Sequence, residues 1–219
     1  MTEAPLVTLA PDVAAIVALG VIAFDGVTAR EADPALDGPL AAAESAMRSG
    51  GGSEADQAAT RAMYRRFGID PTKTRPSSEA LLRRVRKGDR LPRINTLVDV
   101  CNWCSAEFQL PYGLYDRDRI AGAIELRRGR AGEEYAGIRK DVVHVEERPV
   151  LVDREGPFGN PTSDSARTMV TTATTSVLVA VYAPRDGAAA RLRGVLDVTA
   201  ARLARFSGGR EGARQILAV

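Results

Sequence analysis

Residues 94–116 read INTLVDVCNWCSAEFQLPYGLYD, and the period of the chain changes inside this stretch. Before Pro111, Leu97, Cys101, Cys104 and Phe108 recur at i, i+4, i+7 and i+11, which predicts a helix over about 94–108 with one buried stripe. After Pro111 the segments shorten and alternate. Strands are expected at 112–116, 123–127, 142–146 and 149–153, separated by Gly, Asp and Arg turns.

Working outward, helix signals dominate upstream. Asp33 is placed to cap a helix with Pro34 at its first position, ending near Met47, before the breaker Ser49-Gly50-Gly51-Gly52. Ser53 caps a second helix that runs to Phe67, with Gly68 as its C′ glycine. Residues 70–78, DPTKTRPSS, read as an extended loop. Ser77 then caps a third helix with Leu81, Leu82 and Val85 on its apolar side, stopped by Gly88. The run VAAIVALGVIAF at 13–24 reads as a buried strand, Val177–Tyr182 as a last apolar strand, and 188–206 as an amphipathic C-terminal helix. Helices first and strands later predict an α+β fold rather than a doubly wound one. With 219 residues, 45% hydrophobic and 26% charged, one domain over 1–219 is expected.

No apolar run reaches the roughly 18 residues of a membrane span. No basic region followed by an apolar one opens the chain, so no signal peptide and a cytoplasmic location are expected. Charge is unevenly spread. Residues 1–60 carry two basic and nine acidic side chains, whereas residues 61–93 carry eleven basic and three acidic. Such a block attracts polyanions, although a solvated basic surface has the same composition.

Three constellations bear on chemistry. Cys101 and Cys104 form a CxxC, but both fall on the apolar stripe. Core thiols are the expectation, beside a redox pair or a metal site, and neither metal nor cofactor is called for. His144, the lone histidine, alternates with Val143 and Val145 and reads as a half-exposed strand residue, with a catalytic role as the alternative. Asn95, Asp99 and Asn102 share a helix edge, either tying the helix to neighbouring strands or facing a ligand. The segment GPFGNPTSDSART at 156–168 is dense in small polar groups. It is either a ligand loop or a long turn held by its own Asx and Ser/Thr bonds.

The stretches YRRFGIDPTKTRPSSEALLRR (64–84), LPRINTLVDVCNW (91–103), GLYDRDRI (113–120) and GPFGNPTSDSART (156–168) carry a resemblance. Across 64–184 the chain resembles the B3/B4 editing domain of the phenylalanyl-tRNA synthetase beta subunit, and free-standing proteins built on it. The resemblance implies helices packed on a β-sandwich-like core, with tRNA or aminoacyl-tRNA as partner. It also implies hydrolysis of the ester joining a wrong amino acid to the terminal ribose. The position matching the histidine of bacterial synthetases is Gly113, and the glutamate of their later Gly-rich loop has no clear equivalent, since the 156–168 segment carries Asp164 and no Glu.

On the enzyme reading, Asp164, Ser165 and Thr168 carry catalysis. Asn95, Asp99, Asn102, Gly156, Phe158, Gly159, Ser163 and Arg167 surround the substrate, and Lys73, Arg75, Arg83 and Arg84 lie near phosphates. The other reading keeps the pocket without turnover, as a binder of RNA or of an amino acid.

Overall fold

The structure is a computed structural model that describes residues 6–138, 140–186 and 188–218. Its centre is a four-stranded sheet ordered β10-β2-β9-β3: Arg210–Leu217, Val17–Asp25, Ser176–Pro184 and Tyr112–Asp116. The strands pair antiparallel throughout. β2 and β9 are apolar along almost their whole length because both of their faces are covered. On one face Ala18, Ile22, Phe24, Val177, Val179 and Val181 meet the helices. On the other, Leu19, Val21, Leu178, Ala180 and Tyr182 meet a second sheet.

That second sheet is ordered β1-β4-β7-β8: Val7–Leu9, Ile124–Arg128, Pro149–Asp153 and Gly156–Gly159. β1 lies parallel to β4 and the other pairs are antiparallel. The short helix α1 (Pro11–Ala14) joins β1 to β2. The helical layer comprises α2 (Pro34–Arg48), α4 (Ser77–Arg86), α5 (Thr96–Phe108) and α6 (Ala188–Ser207). α3 (Glu54–Arg66) packs Met63 and Tyr64 into the core between the sheets. The hairpin β5 (Glu134–Gly137) and β6 (Lys140–His144) stands beside β8 of the second sheet. The architecture is α+β, with helices on a two-sheet core. Among the described residues no helix is long and apolar enough to cross a membrane.

The local signals act as read at α2 and α3. The Asp33 carboxylate accepts from the Ala35 N–H, and the Ser53 hydroxyl accepts from the Asp56 N–H. Gly68 takes φ 74° and donates to the Arg65 carbonyl, while Ile69 donates to the Tyr64 carbonyl, closing α3 as a Schellman motif.

Four local expectations need correction. The run at 13–24 is not one strand: Pro11 at the first helical position starts the turn α1, and β2 begins at Val17. Ser77 does not cap α4. Pro76 takes that position, and the Ser77 hydroxyl donates instead to the Pro161 carbonyl at 3.2 Å, tying α4 to the 156–168 segment. Residues 156–159 are a strand, β8, rather than the start of a loop. Val177–Tyr182 is not the last strand, since the polar β10 follows on the edge beside β2. Its sequence, REGARQIL, lacks the apolar run that marks a covered strand.

Candidate functional site

A cavity of about 470 Å³ opens between α5, β3, the end of β5 and the segment after β8. That volume lies within the range for small-molecule sites, roughly 300–1,000 Å³. Val98, Cys101, Asn102 and Ser105 form its α5 wall at i, i+3, i+4 and i+7, one face of the helix. Tyr112 and Leu114 enter from β3, on the side of the sheet that faces the helices. Asp164, Ala166, Met169 and Val170 close the opposite side, and Ile94 and Ile138 stand at the rim.

Most polar side chains lining this cavity are already engaged. The Ser77 and Ser105 hydroxyls donate to the Pro161 and Leu110 carbonyls. The Tyr112 hydroxyl pairs with the Thr199 hydroxyl at 2.9 Å. Asp164 differs, because its Oδ1 is shut off from solvent and has no hydrogen-bond partner. Burial lifts this carboxyl to about 7, opposed by the Tyr115 hydroxyl and the Leu114 N–H, which favour the charged form. Among the described residues the Asn102 amide also lacks an internal partner, so an amide and a near-neutral carboxyl are the cavity's two open polar groups. Cys101 borders the same space. Burial first, then the nearby Cys104 and Asp164, push its thiol well above the ordinary range, which suppresses the thiolate. Both cysteines are free and buried, and among the described residues no His/Cys/Asp/Glu group could hold a metal ion.

The other residues singled out in the sequence divide by place. Asn95 caps α5, its side chain accepting from the Val98 N–H at 3.0 Å. Asp99 accepts from the Ile94 N–H and from Arg93 Nε, both at 2.8 Å, and so fixes the entry to α5. Neither lines the cavity; of that helix edge only Asn102 does.

Ser165 and Thr168 are buried and bonded to each other, hydroxyl to hydroxyl, at 3.0 Å, and the Thr168 N–H donates to Ser165 Oγ. They brace a turn and do not reach the cavity. Phe158 lies in the core between the sheets, edge-on to Tyr115, and Gly156 begins β8 at φ 118°. Arg167 grips both oxygens of Asp153 at 2.9 Å and also reaches Glu155. These residues build the frame rather than the pocket.

A second, basic cleft of about 410 Å³ lies across the Asn160–Asp164 turn from the first cavity. Lys73, Arg75, His144, Arg148 and Ser163 line it. The turn is stiff, because Asn160 Oδ1 accepts from the N–H groups of both Thr162 and Ser163. Ser163 faces the basic cleft and its neighbour Asp164 the apolar cavity. His144 is well exposed and pairs with Glu134 at 3.1 Å. Arg83 and Arg84 point outward from α4 and line neither space.

The profile of the B3/4 domain family matches residues 59–213, more than half of the chain. The chain belongs to the B3/4 domain family. This B3/4 chain is 34% identical over 128 residues to the phenylalanine–tRNA ligase beta subunit of Xanthomonas campestris pv. campestris, covering 58% of the chain and 14% of that subunit. It is 35% identical over 94 residues to the beta subunit of Carboxydothermus hydrogenoformans, covering 41% of the chain and 11% of the relative. For the Streptomyces avermitilis beta subunit the figures are 34% over 93 residues, 42% and 11%. The match to these relatives therefore spans a small part of their length. A solved N-terminal fragment of the phenylalanyl-tRNA synthetase beta-subunit from Pyrococcus horikoshii aligns at TM-score 0.46 with 20% identity, over 55% of this chain and 45% of that one.

Gly113 of this B3/4 chain has a physical explanation. A Cβ there would sit 2.1 Å from the Tyr115 hydroxyl, and one at Gly159 would sit 2.3 Å from the same atom. Tyr115, two residues on and on the same face of β3, lays its phenol across both glycines. A histidine at position 113 has no room beside it. The chemistry available at this end of β3 is instead the Asp164 carboxyl with the Tyr115 hydroxyl close by. Reading the sequence missed Tyr115, Arg148 and the apolar walls at Leu81, Met169 and Val170. Tyr115 was visible as the bulky residue two positions from a glycine on a strand; Arg148, an arginine in a charged turn, carried no signal.

Proposed function

We propose that this chain binds the aminoacylated 3′ end of a tRNA and hydrolyses the ester of a wrongly attached amino acid. The observation that carries the reading is Asp164, whose carboxyl oxygen Oδ1 is buried without a partner in the wall of a mostly apolar cavity of about 470 Å³. Membership of the B3/4 family and the phenylalanine–tRNA ligase beta subunits among its relatives support the nucleic-acid side. The amino-acid side chain enters between the α5 face and Met169–Val170, and its ester carbonyl stops near Asn102 and Asp164.

The chemistry follows from those two groups. The Asp164 carboxylate takes a proton from a water, which attacks the ester carbonyl. The Asn102 amide donates to the carbonyl oxygen as it gains charge. The tetrahedral adduct collapses by breaking the bond to the ribose oxygen, which receives the proton from Asp164. A base whose pKa lies near the working pH is the effective kind, and Asp164 at about 7 meets that condition. The ester is already activated, so positioning and one base suffice.

The test is a panel of tRNAs, each charged with a cognate or a wrong amino acid. Release of amino acid from at least one mischarged species, abolished in Asp164→Asn, is expected. Binding of charged tRNA with no acceleration of hydrolysis for any member overturns the catalytic half and leaves a binding protein.

A further inference from the structure

Resting on the reading above that an aminoacylated nucleotide is the ligand, we propose that the basic cleft is a phosphate subsite for that same molecule. Arg148 is its central residue and Lys73 its second cation. Arg148 is half-buried and lines the cleft, yet among the described residues its guanidinium has no carboxylate and no hydrogen-bond partner. Desolvating a guanidinium without an anion is unfavourable, and the described residues supply none at this point. Lys73 likewise has no ion pair among the described residues; the nearby Asp70 is turned onto the Thr72 N–H and hydroxyl. Arg75 and Arg61 share one carboxylate, Glu79, so this side of the cleft also keeps a surplus positive charge. Asn160 is engaged with Tyr135 and Thr162 with Tyr64, which leaves the two cations as the charged groups of the cleft still without a partner among the described residues.

The arrangement of apolar surface identifies the anion as part of a nucleotide. Among the described residues the three exposed large hydrophobics are Ile94 at 43%, Ile138 at 36% and Val142 at 45%. Ile94 and Ile138 rim the apolar cavity, and Val142 rims the basic cleft. Ile138 lies in the turn between β5 and β6 and Val142 within β6, so this hairpin borders both spaces. The hairpin thus presents exposed apolar side chains to both spaces, Ile138 to the cavity and Val142 to the cleft, a shelf of the kind on which a base can lie. A free anion needs the cations but not the shelf. An amino acid joined to a ribose, with a base and a phosphate, uses the apolar cavity, the shelf and the cleft together.

The experiment compares two sets of stable probes, 3′-aminoacylamino-3′-deoxyadenosines carrying alanine, serine, leucine or tyrosine, each made with and without a 5′-phosphate. For any amino acid that binds, the phosphate is expected to tighten Kd by about tenfold or more, the scale of a charge-assisted contact. In Arg148→Gln the ratio of the two Kd values falls toward one, and Arg148→Lys restores part of it. A ratio near one in the native protein, or an unchanged ratio in Arg148→Gln, overturns the subsite while leaving the amino-acid site standing. If no probe of either set binds, the aminoacyl reading itself fails. The affinity of Arg148→Gln for uncharged tRNA then decides the subsite alone: a loss of about fivefold or more is expected, and an unchanged affinity refutes it.

Discussion

Ser163 and Asp164 are consecutive residues that face opposite surroundings. On the Asp164 side, burial among mostly apolar walls raises the carboxyl to about 7. On the Ser163 side, arginine and lysine gather around an open cleft, where Arg75 has to share the Glu79 carboxylate with Arg61. The same small polar composition produced both, so composition did not decide which side would do what. The outcome depends on what each residue is packed against: low-dielectric walls keep a lone acid neutral, and an excess of cations seeks an anion from outside.

The largest effect that can break this contrast is chemical. Asp164→Asn keeps the shape of the cavity and removes its base, so deacylation of a responsive mischarged tRNA is expected to fall by about 10²–10⁴ while binding persists. In the native protein kcat/KM should rise with pH through about 7 and then level off. Wild-type turnover in the variant would move the chemistry away from the apolar side.

The next effect is thermodynamic and needs no substrate. The folded-state pKa of Asp164 is raised from 3.8 to about 7. Its stabilising contribution is therefore fully present below the unfolded-state value and is lost as pH rises through the folded-state one. Urea unfolding should show stability declining between pH 4 and pH 7 by up to about 4 kcal/mol more in the native chain than in Asp164→Asn. Parallel curves for the two proteins would mean that the carboxylate is solvated and that the apolar side is wetter than its walls indicate.

Much of the frame was legible in the sequence because its signals are local. Asp33, Ser53 and Gly68 each act within one helical turn, and β3, β4, β7, β9 and α6 follow from periodicity. What escaped depends on distant partners. Asn95, Asp99 and Asn102 lie on one helix edge, but only Asn102 reaches the cavity, because Arg93 and the Ile94 N–H already hold Asp99. In the 156–168 segment the Ser165–Thr168 bond is local, as the turn alternative expects, whereas Arg167 found Asp153, which no spacing rule predicts. Gly113 and Gly159 look like flexible positions and are in fact space kept for the Tyr115 phenol. β10 escaped because an edge strand beside an apolar one needs no apolar run of its own.

Arg167 sharpens the contrast from the structural side, at a smaller magnitude. Its two bonds to Asp153, whose side chain is fully buried, hold the end of β7 against the turn that follows Asp164. Arg167→Ala leaves that carboxylate with only the Ala121 and Glu155 N–H groups. Stability should fall by about 2–3 kcal/mol in denaturant titration, the cost of stripping a charged hydrogen-bond partner. Affinity for charged tRNA, measured well below the unfolding midpoint, should hold. A large loss of affinity in a still-folded variant would put Arg167 among the ligand contacts after all.

The smallest effect separates the basic cleft from basic surface in general. Lys73 and Arg75 line the cleft, whereas Arg83 and Arg84 project outward from α4, where Arg84 donates to the Arg90 carbonyl. All four belong to the same positive block, so net charge alone predicts equal effects from removing either pair. Place predicts otherwise. A phosphate held in the cleft releases counterions at a fixed contact, and each such contact contributes about 0.7–0.9 to the slope of log affinity against log salt. Replacing Lys73 and Arg75 with Ala should lower that slope for uncharged tRNA by about one to two. Arg75 can be removed without stranding Glu79, which keeps Arg61 on both oxygens. Replacing Arg83 and Arg84 should change the slope by less than about one and the affinity by less than about threefold, the scale of exposed charges screened within a Debye length. Equal slopes for the two double variants would show that the block acts as a diffuse field, and the division drawn at Ser163 and Asp164 would then hold only for the apolar side.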